Sequence, residues 1–324
     1  MRIVIAGGAG FIGSNLTERL LAAGHSVICI DNFATGRPSN VEPFLREAAF
    51  ELIPHDIIEP LPPLPPVDRV YHLASPASPP GYVRLPIETM RANSEGTRHL
   101  LDLSVRNGAT FVYCSTSEVY GDSLEHPQTE AYRGNVSTTG PRSVYDESKR
   151  FGEALVAAYH RRFDADVRIA RIFNTYGPRS APDDGRLVPN FVVAALRDKP
   201  ITVYGDGTQT RSLCYVSDLV EGLIAMAESD AAGGEVVNLG NPDEHTILEF
   251  AELVRELTGS RSEIVFRDYA VADDPRRRQP DITKARRLLG WEPIVGLREG
   301  LTRTIDYFRA ELGLAMSAEG RSRL

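Results

Sequence analysis

Several features that mark particular classes of protein are scarce in this chain of 324 residues. It has three cysteines and one tryptophan, and the cysteines, Cys29, Cys114 and Cys214, lie far apart in the sequence. Two of them fall in apolar runs typical of strands. We therefore expect buried thiols rather than a disulfide or a metal site, and we predict no bound metal.

Long hydrophobic runs and an excess of positive charge are also missing. No stretch approaches the roughly 20 apolar residues of a membrane-spanning helix, and we see no basic flank or cleavage site of a secretory signal at the N-terminus. The formal net charge of −8 gives no electrostatic footprint for nucleic acid. We expect a cytoplasmic protein with no membrane or nucleic-acid partner, in which local arginines and backbone amides hold any phosphate-bearing ligand.

What the chain does have is a regular alternation of apolar runs and helical patterns. Runs at residues 1–5, 26–31, 70–73 and 111–114 predict buried strands, whereas Ser14–Ala23 and Ile87–Val105 predict helices, the second ending at Gly108. Strands that alternate with helices indicate an α/β fold with a doubly wound parallel sheet, a Rossmann fold.

The segment GGAGFIG follows the first predicted strand and opens the first predicted helix. Gly7, Gly10 and Gly13 would let the backbone turn tightly and present helix amides to a pyrophosphate. This glycine spacing alone is weak evidence for a dinucleotide site, because a helix that merely packs closely against a strand can have the same spacing. Asp31 closes the next strand, where an acid binds ribose hydroxyls and repels a 2′-phosphate, which favours NAD over NADP although Arg37 lies nearby.

Tyr145 and Lys149 are four residues apart, so they share one face of a helix. A cation there would lower the phenol pKa and make it a base near neutrality. A tyrosine and a lysine four residues apart also occur by chance in many helices, and there they more often lie on the protein surface. Ser115, Thr116 and Ser117 end a predicted parallel strand, at the edge where ligands of α/β sheets bind, and favour the catalytic interpretation.

Three charged residues remain open to two interpretations. From charge statistics, Glu118 is a solvated loop carboxylate. Arg211 and Arg278 are candidate clamps for a diphosphate, because the guanidinium fork matches phosphate oxygens, or they are surface ion-pair partners.

Together these features resemble the extended short-chain dehydrogenases/reductases, the superfamily of nucleotide-sugar epimerases and dehydratases. The similarity runs from Arg2 to about Leu312. Longer strings resemble the UDP-glucuronate decarboxylases, also called UDP-xylose synthases: HLASPASPP, STSEVYGD, GPRSVYDESKR, RIFNTYGPR and VNLGNPDEHTILEFAELV.

This resemblance implies an NAD-dependent carboxy-lyase. NAD would oxidise the sugar at C4, CO₂ would leave from C5, and re-reduction would give UDP-xylose. Tyr145 would then be the C4 base, Lys149 its partner and a ligand of the nicotinamide ribose, and Thr116 the hydroxyl that orients O4. Ser117 and Glu118 would lie beside the sugar carboxylate, where Glu118 would either carry a proton or destabilise the charged ground state.

The resemblance also implies binding residues, domains and assembly. The cofactor set is Gly7, Gly10, Phe11, Ile12, Gly13, Asp31, Asn32, Phe33, Thr35, Gly36, Asp56, Ile57, Ala74, Asn93, Tyr145 and Lys149. The substrate set for the UDP-sugar is Tyr82, Asn174, Arg186, Tyr204, Arg211 and Arg278. We predict an NAD-binding domain at 1–173, a smaller C-terminal α/β UDP-sugar lobe at 174–315, interleaved with the end of the sheet, and a frayed tail at 316–324. A homodimer would form through a four-helix bundle from Ile87–Val105 and Ser143–Arg162.

Three positions depart from the pattern of the decarboxylases. Ser148 precedes the lysine in place of Gly or Ala, Arg133 stands where a Trp often precedes Gly-Asn, and Ser137–Thr139 replaces Asn-Pro-Ile. A UDP-glucuronate or other UDP-sugar 4-epimerase is the alternative function. A non-catalytic sensor of NAD or a nucleotide sugar is a third, disfavoured by the presence of Tyr145 together with its partners.

Overall fold

The computed structural model describes residues 1–268 and 277–314, so the predicted tail lies outside the described residues. The strands are β1 (Arg2–Ala6), β2 (Ser26–Asp31), β3 (Phe50–Pro54), β4 (Arg69–His72), β5 (Thr110–Thr116), β6 (Val167–Ile172), β7 (Thr175–Tyr176), β8 (Ile201–Tyr204), β9 (Thr210–Ser212), β10 (Cys214–Tyr215), β11 (Val236–Leu239), β12 (Glu244–Thr246) and β13 (Ile264–Arg267). The helices are α1 (Phe11–Ala22), α2 (Pro38–Val41), α3 (Pro79–Arg84), α4 (Pro86–Arg91), α5 (Thr97–Asn107), α6 (Ser143–Phe163), α7 (Leu187–Leu196), α8 (Val216–Glu228), α9 (Ile247–Thr258), α10 (Thr283–Leu289) and α11 (Leu297–Glu311).

Seven strands form one parallel sheet in the order β3-β2-β1-β4-β5-β6-β11. Side chains alternate across it, since successive residues of a strand point to opposite faces. Ile3 and Ile5 pack with Leu16 of α1, whereas Val4 packs on the other face with Leu100 of α5. Helices therefore cover both faces, and the predicted doubly wound α/β fold is confirmed.

The register of this sheet brings the candidate site together. Ala6 of β1 pairs with His72 of β4, and Thr116 of β5 pairs with Ile172 of β6. The carboxyl ends of these strands therefore lie along one edge. In open α/β sheets this edge is where ligands bind.

Residues beyond β6 contribute to the sheet and also form a separate cluster. Strand β11 joins the sheet beside β6, whereas β8 pairs with β13 and β9 with β12 in small sheets. An apolar core drawn from residues 176–308 lies between α7, α9 and α11, with Phe191, Phe250 and Phe308 at most 4% exposed.

Element boundaries follow the sequence patterns closely, with some strands as exceptions. The predicted strand at 26–31 and the helix end at Gly108, which is left-handed at φ 62°, are confirmed. The helix predicted over Ile87–Val105 is confirmed as a continuous helical segment from Pro86 to Asn107, in which a π-helical turn, Ala92–Gly96, lies between α4 and α5. A Cβ on Gly96 would lie 2.5 Å from Ile57 Cδ1, so the chain passes Ile57 too closely for a larger residue.

The three cysteines are free and buried, as predicted. Within residues 1–268 and 277–314, none of the helices combines the length and the apolar character that crossing a membrane requires.

Close packing of α6 on the sheet depends on Gly152. A Cβ there would lie 2.0 Å from the hydroxyl oxygen of Tyr113, so we expect Gly152→Ala to lower the free energy of unfolding by about 1–3 kcal/mol. Urea denaturation measures this. The control is Gly296→Ala, where a Cβ meets no atom within 4 Å, and equal stability of the two variants would contradict the prediction.

Candidate active site and cofactor cavity

Two cavities open along the carboxyl edge of the sheet. The larger, about 360 Å³, contains all the predicted catalytic residues and all the predicted substrate residues. The smaller, about 120 Å³, contains Gly7, Gly10, Asp31, Asn32, Thr35, Gly36, Asp56, Ile57 and Ala74 of the predicted cofactor set. Leu73 and Ser75 line both cavities, so one elongated ligand could span them.

The turn from β1 into α1 fits a pyrophosphate. Gly7 has φ +84°, and a Cβ there would lie 2.6 Å from the Ala74 nitrogen, so the backbone needs glycine. A Cβ on Gly13 would lie 2.1 Å from the Gly7 oxygen, which means that close packing of α1 also requires glycine. At Gly10, the N-cap of α1, a Cβ would approach only the Gly7 oxygen, at 3.2 Å. The helix amides beside it are therefore open to an anion.

Asp31 and Asp56 both line the smaller cavity. The Asp31 carboxylate accepts hydrogen bonds from the Ala9 nitrogen at 2.9 Å and the Phe33 nitrogen at 2.8 Å. Burial raises its pKa, and these two bonds oppose the rise. Asp56 accepts a 2.8 Å bond from Asn32 Nδ2. The protein thus fixes both carboxylates in the wall of this cavity, and their contact with ribose and adenine stays a prediction.

The other predicted cofactor residues have different surroundings. Phe11, Ile12, Tyr145 and Lys149 line the larger cavity, whereas Phe33 packs against an apolar cluster behind the loop after β2. Asn93 lines neither cavity. It is fully buried, and its Nδ2 donates to Ser75 Oγ and Ser148 Oγ, each at 3.0 Å. Ser148, the departure beside the lysine, thus supports the cavity wall.

Tyr145 and Lys149 lie on α6, facing the end of β5. Lys149 Nζ donates to the Cys114 oxygen at 2.8 Å and lies 5.0 Å from the centre of the Tyr113 ring. Burial lowers the pKa of this amine to about 8. Tyr145 hydrogen-bonds Thr116. The interpretation of Tyr145 and Lys149 as an exposed surface pair is therefore wrong, since they are 6% and 3% exposed.

The phenol of Tyr145 responds to several neighbours. Burial raises its pKa and Glu118 adds to the rise, whereas the Thr116 hydrogen bond and Arg186 lower it. Lys149 Nζ lies 5.9 Å from the ring centre, and the lowering of the phenol pKa by this amine stays a prediction. Tyr82 stacks on Tyr145 with ring centres 5.3 Å apart and planes within 7°.

Glu118 is held between two arginines. Arg278 Nη1 and Nη2 donate to its two carboxylate oxygens at 2.6 and 2.8 Å, and Arg142 Nη2 donates to Oε2 at 2.5 Å. Burial alone would raise the pKa of Glu118, but the two guanidinium groups lower it to about 2. The carboxylate is therefore ionised. The interpretation of Glu118 as a solvated loop carboxylate is wrong, because the arginines compensate for its burial.

The remaining substrate-set residues surround the same cavity. Arg211 is 7% exposed and donates to the Thr210 oxygen at 2.8 Å. Arg186 pairs with Asp184. Arg278 is 6% exposed, so the alternative in which it forms a surface ion pair is wrong. Asn174 and Tyr204 complete the wall.

Arg142 and Asp146 are site residues that the sequence interpretation missed. Arg142 lies three residues before Tyr145, and the sequence gives no sign that its partner is Glu118. Asp146 lies one turn further, with Oδ2 4.0 Å from Arg142 Nε. Burial, and then the charge of Glu118, raise its pKa to about 7.

The Ser-Thr-Ser turn also has support that the sequence did not indicate. Ser115 Oγ donates to Glu153 at 2.6 Å, and Arg171 Nη2 donates to the same carboxylate at 2.7 Å. This ion pair lies behind the strand ends and fixes the residue next to Thr116. In the part of the chain that the structure describes, no cluster of His, Cys, Asp or Glu could hold a metal ion.

The fold and site together define a dinucleotide-binding enzyme with a buried tyrosine–lysine pair in the larger cavity. The NAD dependent epimerase/dehydratase family matches residues 3–240. The chain belongs to this family, whose cofactor is NAD.

Similarity to individual proteins is more specific than the match to the family. The chain is 54% identical over 311 residues to UDP-glucuronic acid decarboxylase 1 of Xenopus tropicalis, covering 96% of this chain and 73% of that protein. It is 54% identical over 309 residues to UDP-glucuronic acid decarboxylase 1 of Arabidopsis thaliana, covering 95% and 70%. Among solved structures, UDP-glucuronic acid 4-epimerase from Bacillus cereus with UDP-glucuronic acid and NAD is 31% identical, with TM-score 0.86 and coverage of 96% and 100%.

The buried amine of Lys149 predicts a specific dependence of stability on pH. The folded chain loses this proton near pH 8, whereas the ordinary value is 10.5, so between these values the unfolded chain binds more protons and stability rises with pH. Relative to Lys149→Met, the wild type should gain about 3 kcal/mol of unfolding free energy across that window.

Urea denaturation at several pH values measures this difference. Lys199→Met, at an exposed lysine, is the matched control. If the difference in unfolding free energy between wild type and Lys149→Met stays constant with pH, the Lys149 amine is not buried and strongly desolvated.

Proposed function

We propose that this protein is a UDP-glucuronate decarboxylase that uses NAD and releases UDP-xylose. The observation that carries the proposal is the ionised Glu118, held by Arg142 and Arg278 in the cavity that also contains Tyr145. The 54% identity to decarboxylases over almost the whole chain supports it.

The residues around the sugar have separable roles. Tyr145 takes the proton of the C4 hydroxyl, and Thr116, bonded to the phenol, orients that hydroxyl. Bound NAD supplies the oxidation at C4 and its reversal. Lys149 lies within the same wall, where its charge stabilises a phenolate and binds a ribose hydroxyl.

Glu118 acts on the carboxylate of the substrate. Because its pKa lies near 2, it meets the sugar as an anion. Of the two roles open to Glu118, this favours ground-state destabilisation over donation of a proton. In the 4-keto sugar, the C5–C6 bond breaks and its electron pair moves toward the C4 oxygen, so CO₂ loss removes the negative charge of the substrate carboxylate from beside Glu118 and its arginines. Arg278 and Arg142 keep Glu118 ionised and in place.

The alternatives fit less well. The 4-epimerase structure is similar in fold, but its identity of 31% is far below that of the decarboxylases. A sensor has no need for the buried pairing of Tyr145 with Thr116. Both alternatives give different outcomes in the experiments below.

We also propose the division of the chain at residue 173. The NAD domain holds the first six strands of the sheet, and the lobe from 174 to 315 adds β11 and its own apolar core. The cytoplasmic location stays a prediction from the sequence.

A homodimer through α4, α5 and α6 completes the proposal. Helix α4 packs on α6, and this region exposes Ile87 at 62%, Met90 at 43% and Phe151 at 53%. Apolar side chains this exposed on adjoining helices favour burial against a second copy.

The direct test is incubation of the purified protein with UDP-glucuronic acid and NAD. We expect loss of CO₂ and a UDP-pentose, identified by mass and proton NMR as UDP-xylose. An unchanged mass with inverted C4 would make the protein a 4-epimerase, and an unchanged substrate would favour the sensor.

Substitution of Glu118 tests its role. We expect Glu118→Ala to lower the rate of CO₂ release at least about 100-fold, while NADH absorbance still appears because C4 oxidation depends on Tyr145. Glu147→Ala is the matched control, since Glu147 pairs with Arg150 at a half-exposed position on α6. Full decarboxylation by Glu118→Ala would remove the proposed role.

Sedimentation equilibrium tests the dimer. We expect Ile87→Arg to give monomers, because a charge would be buried in the bundle. Ile294→Arg, at a residue 84% exposed elsewhere, should leave the dimer intact. A dimer that survives Ile87→Arg would place the interface on another surface.

A further inference from the structure

The end of α11 packs against the loop that follows β2. Arg37 Nη2 donates to Glu311 Oε1, across 274 positions of sequence. The Tyr307 hydroxyl donates to Glu311 Oε2 at 3.4 Å. The two charged side chains are only 28% and 25% exposed. The C-terminal helix thus holds a cation of the cofactor loop by a half-buried ion pair.

This loop lines the smaller cavity beside Asp31, the residue predicted to bind the adenosine ribose. Arg37 directly follows Gly36, and a Cβ on Gly36 would lie 2.8 Å from Asp31 Oδ1. The backbone therefore passes directly beside the carboxylate that fits the ribose hydroxyls. In dinucleotide-binding folds, an arginine near this carboxylate is what accommodates the 2′-phosphate of NADP. Arg37 has the right chemistry for NADP, but its guanidinium is engaged with α11.

We propose that Glu311 determines cofactor specificity by holding Arg37 against α11, away from the 2′ position of the adenosine ribose. Asp31 repels a 2′-phosphate, and the Glu311 ion pair withholds a cation that could offset that repulsion. The guanidinium keeps unused donor capacity, since within residues 1–268 and 277–314 its Nη1 is buried without a hydrogen-bond partner.

The hydrogen bond to Glu311 affects the pKa of Arg37. Burial alone would lower the pKa of Arg37, but Glu311 and then Tyr307 raise it. The pair is therefore a stable charged contact that must be broken before Arg37 can turn toward a ligand. A second cation, Arg84, also reaches the loop, where its Nη2 donates to the Ala34 oxygen at 3.2 Å. Any test must separate the two arginines.

The test compares ADP-ribose with 2′-phospho-ADP-ribose as competitors that displace NADH from the full chain, followed by NADH fluorescence. Neither competitor carries nicotinamide, so the readout is independent of catalysis. We expect Glu311→Ala and Glu311→Gln to tighten binding of the 2′-phospho ligand about tenfold, the contribution of one charge-assisted hydrogen bond. Binding of ADP-ribose should stay the same.

A second substitution added to Glu311→Ala shows which arginine causes the tighter binding of the 2′-phospho ligand. Adding Arg37→Ala to Glu311→Ala should abolish the gain, whereas adding Arg84→Ala should retain it. Glu299→Ala, which removes a glutamate paired with Arg303 on the same helix, is the charge-matched control and should show no gain. The proposal is overturned if the Glu311 variants show no selective gain, or if the gain persists without Arg37.

This inference rests on the NAD site and not on decarboxylation. A protein that shows the predicted nucleotide selectivity but leaves UDP-glucuronic acid unchanged would contradict the proposed function alone.

Discussion

The site is built around one carboxylate. Glu118 follows β5, an interior strand of the sheet, and it is bound by Arg142 just before α6 and by Arg278 from the C-terminal part of the chain. The contacts join three segments separated by 24 and 160 positions. Removing one partner of a buried ion cluster leaves an uncompensated charge, which typically destabilises a protein by about 3–5 kcal/mol. The cluster therefore ties the end of β5, the start of α6 and the C-terminal part of the chain together beside the cavity.

The same cluster connects structure to reactivity. Two guanidinium groups keep Glu118 ionised, and Asp146 behind Arg142 adds a carboxyl group whose pKa lies near 7. On the other side, Tyr82 stacks on Tyr145 and closes the wall. A hexuronate bound here would place its carboxylate in a region where charges are fixed before it arrives. Such preorganisation avoids reorganisation of the surroundings during the reaction.

Much of this could be predicted from local sequence. The glycine-rich turn, Asp31 and the Tyr145–Lys149 spacing are features within one or two adjacent elements, and each has its expected place in the structure. Periodicity predicted most of the sheet. It missed β3 (Phe50–Pro54), because a half-buried edge strand gives no continuous apolar run, and it also missed β6 and β11.

What could not be predicted depends on tertiary contacts. No pattern links Arg142 to Glu118, or Glu311 to Arg37, because their pairing follows from where the strands end and where α11 packs. The π-helical segment between α4 and α5 likewise lies where Gly96 passes close to Ile57, a contact between residues distant in sequence. Charge statistics misjudged Glu118 for the same reason, since its arginines are distant in sequence.

The most direct test of the account is the reaction of UDP-glucuronic acid in D₂O. When the C5–C6 bond breaks at the 4-keto stage, the electron pair left on the sugar must be quenched by a proton that exchanges with solvent. We predict UDP-xylose with one deuterium at C5, in a single stereochemical position because the asymmetric cavity presents one face to the bound sugar. A UDP-sugar that keeps its carboxylate and carries no deuterium would contradict decarboxylation at this site.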